Sequence, residues 1–289
     1  MKPKPLHICC LVLGLIIAAS TGWGFNPNTD PSLVGWWKLD DGAGTVAVDS
    51  SPGGHHGTLV NGPVWVQGYF GGALQFDGVD DYVDTGWNEN IPNWTICAWV
   101  ISPAAPASGS PSGPVHRENN YQINWNHSDA NWQASIGVNV GGWYNAPFRP
   151  VEANTWYFIA GSYDGDTLRA YRNGELISEN TSPSGPPSPD GNTLKFGRHA
   201  ANAQYFGGTV DDVRVYNRAL TDDEIREVMK GGGNLALASQ PQPKSAGTDV
   251  PRDIELAWKP GIYPGTHDVY LGTGFDDVNN ASRANPGSV

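Results

Sequence analysis

The stretch Trp156-Tyr-Phe-Ile-Ala-Gly-Ser-Tyr-Asp-Gly-Asp-Thr-Leu-Arg-Ala-Tyr-Arg-Asn-Gly174 decides the fold class, because it holds two strand patterns and two turn signals. The dipeptides Asp164-Gly165 and Asn173-Gly174 reach positive φ at little cost and suit tight turns between antiparallel strands. Between the two turns, alternate residues of the run 167–172 share one face. The stretch therefore predicts two antiparallel strands, each ended by a tight turn.

The same alternation of short strand-like runs and turn signals extends from Leu33 to Asn217, and no segment in this range has a sustained helical period. This pattern is typical of an all-β sandwich or barrel. The candidate strands are 33–39, 73–76, 81–84, 94–102, 121–126, 132–138, 156–163, 168–172, 194–197 and 210–216.

The composition supports this class. The chain has 37 Gly and 23 Pro, about a fifth of its 289 residues, against a usual ~12%. Charged residues make up 16% and aromatic residues 11%, which argues against a coiled coil, a helical bundle or a disordered tail. The formal net charge is −12, so a nucleic-acid partner is excluded, since phosphate binding depends on basic residues.

Residues 1–24 have the features of a secretory signal peptide. Lys2 and Lys4 precede the apolar run 11–19, which is too short to span a bilayer, and small residues follow it. We therefore expect a secreted, extracellular protein with no membrane span after cleavage. Cys97 is then the one cysteine left, and we expect it to be buried as a small apolar residue.

A single short helix is predicted after the last strand. Thr221 and Glu224 form a capping box, and Gly231–Gly233 end the helix. We interpret residues 231–247 as a linker, and residues 248–289 contain two further strand-like runs.

Seven segments of the chain resemble, in sequence order, the LamG-like jelly-roll domain (laminin G-like) of the concanavalin A-like lectin/glucanase superfamily. The resemblance covers residues 32–230, and residues 248–289 look like the start of a fibronectin/Ig-like module. It implies a two-sheet antiparallel jelly-roll sandwich with one short C-terminal helix, followed by a partial second β-sandwich. The segments are Leu33–Asp40, Val48–Thr58, Ala73–Val83, Trp94–Val100, Trp156–Asp164, Tyr171–Gly174 and Asp211–Ile225.

The resemblance also implies recognition of glycans or of matrix and cell-surface partners, with a structural Ca²⁺ ion. Carried over to this sequence, Asp49 and Asp212 are the expected side-chain ligands, with Asp211 and Asp80 as second choices. The alternative is that these carboxylates cap turns.

Catalysis is not expected, although some proteins of this fold are glycanases. A retaining glycosidase needs two carboxyl groups about 5–5.5 Å apart, and no Glu-x-Asp-x-x-Glu strand occurs. Glu175 and Glu179 lie near a hairpin, and Glu224 and Glu227 lie on the predicted helix.

Glycan binding needs a flat aromatic face with polar neighbours. The expected ligand-binding residues are Trp143, Tyr144, Trp125, Trp132 and Asn145, with the Gly-flanked pair Trp143-Tyr144 as the best candidate platform. His116, His127 and His199 are expected to be exposed loop residues in preference to zinc ligands, because their spacing matches no metal motif.

The sequence thus predicts a secreted, non-catalytic module that binds a polysaccharide or a cell-surface glycan, with calcium as a cofactor. The competing interpretation is a structural or protein–protein adhesion domain without a sugar site. A glycoside hydrolase with atypical residues is a third alternative.

Overall fold

The computed structural model of the protein describes residues 25–189, 191–199, 204–231, 239–242 and 257–259. The regular elements of these residues are twenty short β-strands and one α-helix. In chain order the elements are β1 (Leu33–Trp37), β2 (Val46–Ala47), β3 (Gly57–Val60), β4 (Val64–Gln67), β5 (Gly72–Asp77), β6 (Tyr82–Asp84), β7 (Trp94–Ile101), β8 (Val115–Arg117), β9 (Tyr121–Asn124), β10 (Ser135–Asn139), β11 (Trp143–Pro147), β12 (Tyr157–Tyr163), β13 (Leu168–Arg172), β14 (Glu175–Asn180), β15 (Lys195–Phe196), β16 (Arg198–His199), β17 (Gln204–Tyr205), β18 (Gly207–Tyr216), α1 (Asp222–Met229), β19 (Ser239–Gln242) and β20 (Ala257–Lys259).

Two antiparallel eight-stranded sheets make up the sandwich. The first sheet has the order β14-β13-β12-β7-β18-β5-β4, and β1 pairs with the second half of β18. The second sheet has the order β11-β10-β9-β8-β15-β6-β3-β2. The predicted two-sheet antiparallel jelly-roll sandwich with one short helix is confirmed.

Strand β7 shows how the sequence builds the core. Trp94, Ile96 and Val100 project between the two sheets into the main hydrophobic cluster. The intervening residues Cys97 and Trp99 project to the opposite face, into a second cluster. Because successive side chains of a strand alternate between faces, β7 is buried on both sides of its sheet.

Helix α1 covers the outer face of the first sheet. Its N-terminus has the predicted capping box, in which Thr221 and Glu224 each accept from the other's backbone N–H. Ile225 and Val228 are buried in the second hydrophobic cluster together with Cys97. Cys97 is fully buried, as predicted, and burial raises the pKa of its thiol.

Three predicted segments lie mostly or wholly outside the described residues. The predicted signal peptide 1–24 is one, and the linker 231–247 and the fibronectin/Ig-like module 248–289 are the others. Within the last two, β19 and β20 pair antiparallel. None of the helices in the described part of the chain is long and apolar enough to cross a membrane.

Candidate functional site

The two faces of the second sheet differ sharply in chemistry. Directly opposed residues of antiparallel strands project to the same face, so rows of such residues can be followed from β11 to β3. One row, Ala146, Ile136, Ile123, Val115, Phe196, Val83 and Leu59, projects into the core. The adjacent row, here called the polar row, projects outwards and contains Asn145, Gly137, Gln122, His116, Lys195, Asp84 and Thr58.

Glycine at position 137 lets two amide side chains of the polar row approach each other. A Cβ atom at Gly137 would lie 2.8 Å from the amide nitrogen of Gln122 and 3.3 Å from Oδ1 of Asn145. Any side chain at this position would displace these amides. The polar row therefore has a shallow, amide-lined section next to β11.

Two tryptophans lie beside this section. Trp143 and Asn145 are two residues apart on the edge strand β11 and so share the outer face. Trp132, in the loop between β9 and β10, packs edge-on against Trp143 with the ring centroids 6.2 Å apart. His127 in turn stacks on Trp132 at 5.0 Å. We call Trp132, Trp143, Asn145 and His127 the tryptophan face, and all four are half-buried.

The other two predicted ligand-binding aromatics lie elsewhere. Tyr144 falls between Trp143 and Asn145 on β11, so its ring projects to the opposite side and packs against the core. Trp125 is 1% exposed, and its indole N–H donates to the carbonyl oxygen of Ala104. Trp125 is a core residue, which corrects its assignment to an exposed platform, and Tyr144 does not share a platform with Trp143.

Asp49, a predicted calcium ligand, instead organises the loop that follows β2. Its carboxylate accepts from the backbone N–H groups of Trp36, Ser51 and His55, at 2.8, 2.8 and 2.7 Å, and from the hydroxyl of Ser51 at 2.9 Å. An ionised carboxylate has about four lone-pair sites. These four donors use them, so Asp49 does not fit a calcium site.

Asp212, its predicted partner in calcium binding, is held in an ion pair. It lies at a β-bulge of β18 with φ +47°, where its oxygens contact the guanidinium of Arg214 at 3.1 Å and the indole N–H of Trp36 at 2.5 Å. Both charged side chains are buried. Because the guanidinium already neutralises Asp212 and would repel a cation, this carboxylate also does not fit a calcium site.

The second-choice calcium ligands are in two different places. Asp211 is fully buried on β18, where it accepts from the backbone N–H of Phe70 at 2.7 Å. Burial, together with the charges of Asp212 and Asp40, raises the pKa of Asp211 to about 8, so this group is mostly neutral at pH 7. Asp80 lies in the turn after β5, in a group of carboxylates with Asp77 and Asp81. A calcium ion at that turn stays a prediction.

His116 of the polar row belongs to a histidine cluster that the sequence did not indicate. His116 is fully buried on β8, and the ring of His199 on β16 lies 3.9 Å from it, centroid to centroid. Glu118 is close by, and one ligand-capable atom of each of the three residues lies within 4.8 Å of the others. The prediction that His116 is an exposed loop residue is wrong, because the short segment 115–117 pairs as the strand β8.

Both histidines of the cluster are neutral at pH 7. Burial, followed by the neighbouring His199, holds the pKa of His116 well below its usual value. Burial, followed by the proximity of His127, lowers the pKa of His199 to about 4. The cluster thus offers uncharged imidazoles on the outer face of the second sheet. The His116 ring lies next to the tryptophan face, with its centroid 6.5 Å from that of Trp143.

A family model described as the concanavalin A-like lectin/glucanases superfamily matches residues 77–226. No curated protein matches the chain. Domain 4 of AbnA, a GH43 extracellular arabinanase from Geobacillus stearothermophilus solved in complex with arabinotriose, superposes with a TM-score of 0.56 and 17% identity, covering 68% of this chain and 98% of that domain.

Two further solved structures share the fold at low identity. The binding domain of Paraclostridial Mosquitocidal Protein 1 has a TM-score of 0.58 and 14% identity, over 72% of this chain and 54% of that one. Trypanosoma rangeli sialidase in complex with 2,3-difluoro-KDN has a TM-score of 0.52 and 18% identity, over 69% of this chain and 32% of the sialidase. This chain thus spans about half of the mosquitocidal binding domain and a third of the sialidase.

Proposed function

Because the chain belongs to the concanavalin A-like lectin/glucanases superfamily, we propose that it is a secreted, non-catalytic module that binds glycans at the tryptophan face. The observation that carries this proposal is the edge-to-face pair of half-buried indoles, Trp132 and Trp143, beside the amide of Asn145. The pair lies on the polar side of a sheet whose other side forms the core.

The chemistry of this face suits a sugar. A pyranose or furanose ring has apolar C–H surfaces that pack on an indole and hydroxyl groups that need hydrogen-bond partners. The contacts of Trp132 with Trp143 and His127 hold its ring in place, so little conformational entropy is lost when a ligand binds. The amides of Asn145 and Gln122 offer both donors and acceptors next to the rings.

Structural neighbours guide the choice of ligand to test. The arabinanase domain was solved with arabinotriose and the sialidase with a sialic-acid analogue. Their likeness to this chain is one of fold, so arabino-oligosaccharides and sialylated glycans are the first probes.

The carboxylates support a non-catalytic role. Asp84 is the one acidic residue of the polar row, and its carboxylate lies 3.3 Å from the ammonium of Lys195. Glycoside hydrolysis requires a pair of carboxyl groups facing one bond. Glu179 pairs with Arg169, and Glu224 caps α1 and pairs with Arg218, so both are engaged on the other sheet and its helix.

Secretion is proposed from the N-terminal sequence. Lys2 and Lys4, the apolar run 11–19 and the small residues after it have the order of a cleavable signal. A glycan-binding module of this kind would meet its ligand outside the cell.

Trp143→Ala tests the proposal by titration calorimetry with the oligosaccharides that a glycan array selects. We expect affinity to fall at least about tenfold, equivalent to ~1.4 kcal/mol, because one of the two stacking surfaces is lost. Trp132→Ala should weaken binding in the same way. Trp65→Ala is the matched control, since it removes a half-buried indole from β4 of the first sheet, and its affinity should be unchanged.

Thermal unfolding of each variant separates a lost contact from a lost fold. Unchanged affinity in both Trp143→Ala and Trp132→Ala would refute the site. The absence of any array signal would instead favour the structural or protein-adhesion role.

A further inference from the structure

We propose that His116, Glu118 and His199 form a binding site for a divalent transition-metal ion, with Zn²⁺ as the best match, on the outer face of the second sheet. The three residues come from β8, the residue following it and β16. Their ligand-capable atoms lie within 4.8 Å of one another, and Nδ1 of His199 is 4.0 Å from Oε2 of Glu118. This site adjoins the tryptophan face and shares Gln122 with it, but the proposal does not depend on glycan binding.

The strongest sign of a missing ligand is Nδ1 of His116. This residue is fully buried, and its Nδ1 atom has no hydrogen-bond partner among the described residues. A buried nitrogen lone pair without a partner destabilises the folded state. A metal ion would satisfy it.

The other ring nitrogen of His116 already has the partner that a metal-binding histidine requires. Nε2 lies 2.5 Å from Oε1 of Gln122, the residue opposite it on β9. Since an amide oxygen only accepts, Nε2 bears the proton and Nδ1 presents its lone pair. Such a second hydrogen bond fixes the tautomer and orientation of metal-ligating histidines.

His199 contributes the second nitrogen. Its Nδ1 is also buried and unpartnered within the described part of the chain. The site would have three protein ligands, two imidazoles and one carboxylate. This leaves the fourth coordination position for water.

The donor set selects the ion. Ca²⁺ and Mg²⁺ prefer sites made of oxygen atoms, whereas imidazole suits Zn²⁺ and its neighbours among the transition metals. Tetrahedral Zn²⁺ with bonds of about 2.0–2.1 Å needs ligand atoms some 3.4 Å apart, so the cluster would contract by about an ångström on binding. Because His199 lies on the short hairpin of β16 and β17, the ion would tie this hairpin to β8.

Titration of the untagged protein with ZnCl₂, followed by calorimetry, tests the proposal. We expect one ion per chain with micromolar or tighter affinity. His199→Ala and Glu118→Gln should each weaken binding at least about 100-fold, because each removes a direct ligand. His56→Ala is the matched control, since it removes an exposed histidine outside the cluster whose Nδ1 already accepts from the backbone N–H of Asp49 at 3.1 Å, and it should bind Zn²⁺ like the wild type.

Gln122 provides a second test that a chance surface site would not pass. Gln122→Leu removes the acceptor for Nε2 of His116 and should reduce Zn²⁺ affinity about 10–100-fold, whereas Gln122→Glu restores an acceptor and should retain it. Co²⁺ bound in place of Zn²⁺ should show visible absorption bands of a tetrahedral complex. These bands should be lost in His199→Ala and kept in His56→Ala.

Thermal unfolding gives a further measure of Zn²⁺ binding, because a ligand that binds only the native state raises Tm. At Zn²⁺ concentrations 100-fold above the dissociation constant, Tm of the wild type should rise by about 5–10 °C, and that of His199→Ala should not. Zn²⁺ binding that survives both His199→Ala and Glu118→Gln, or that is lost equally in His56→Ala, would overturn the proposal, as would no binding at all.

Discussion

At the scale of single residues, the direction of each side chain decided which predictions held. Trp143 and Trp125 have similar sequence surroundings, with an Asn two residues or one residue away. One projects outwards from an edge strand and the other is in the core. The sequence identifies both as aromatic candidates, but the pairing register that separates them depends on contacts between distant strands.

The surroundings of Asp49 and Asp212, the two first-choice calcium ligands, were hidden from the sequence for a related reason. The spacing of Asp49 and Asp212 does not show that backbone N–H groups surround one and that Arg214 pairs with the other. The pairing of Asp212 lies at the β-bulge in β18, whose positive φ occurs at a residue other than glycine. Sequence patterns give little warning of a bulge at such a position.

Asp211 gives a prediction about pH. Its carboxyl titrates near pH 3.8 when unfolded and near pH 8 in the fold, so between these values the native state holds a proton that the unfolded chain has lost. The contribution of Asp211 to the unfolding free energy is therefore largest below pH 4. It decreases as pH rises from 4 to 8 and is lost above pH 8. We expect the unfolding free energy to fall by up to ~1.4 kcal/mol per pH unit from this group between pH 6.5 and 8.

Asp211→Asn should remove that slope, because the amide cannot ionise. Denaturant unfolding at several pH values from 6.5 to 8.5 measures it, with the exposed Asp80→Asn as control. A slope in Asp211→Asn as steep as in the wild type and the control would contradict the burial of a neutral carboxyl group.

At the scale of elements, the parts with local signals were predictable. The turn Asn173-Gly174 has positive φ at both residues, 52° and 78°, and joins β13 to β14 as the dipeptide indicates. The capping box of α1 is likewise present. By contrast, β8 and β15 have three and two residues, too short to show a period, and they exist because longer neighbours pair with them.

Helix α1 gives a prediction at this scale. Thr221→Ala removes the side-chain acceptor for the backbone N–H of Glu224, and we expect a loss of about 1 kcal/mol or a fall in Tm of ~2–4 °C. Glu227→Ala is the control, since it removes one exposed ion pair with Lys230 and should cost a few tenths of a kcal/mol at most. Equal losses in both variants would show that the cap contributes nothing.

At the scale of the whole molecule, the two outer faces of the sandwich have different roles. The outer face of the first sheet is apolar and covered, since Tyr69 stacks on Trp99 and the helix residues Ile225 and Val228 complete the cluster. The outer face of the second sheet has amides, histidines and two half-buried tryptophans. An apolar covered face stabilises the fold, while a polar face with aromatic rings is suited to a ligand.

The indole N–H resonances of the tryptophans, followed by ¹H–¹⁵N NMR during titration with the oligosaccharide that binds, test this account most directly. If the glycan binds at the tryptophan face, the signals of Trp143 and Trp132 move in a saturable way. The signals of Trp37, Trp94 and Trp125, which are buried in the core, should stay in place. Saturable shifts confined to Trp36, Trp99 or Trp156, around the covered face of the first sheet, would contradict the assignment of the glycan site to the second sheet.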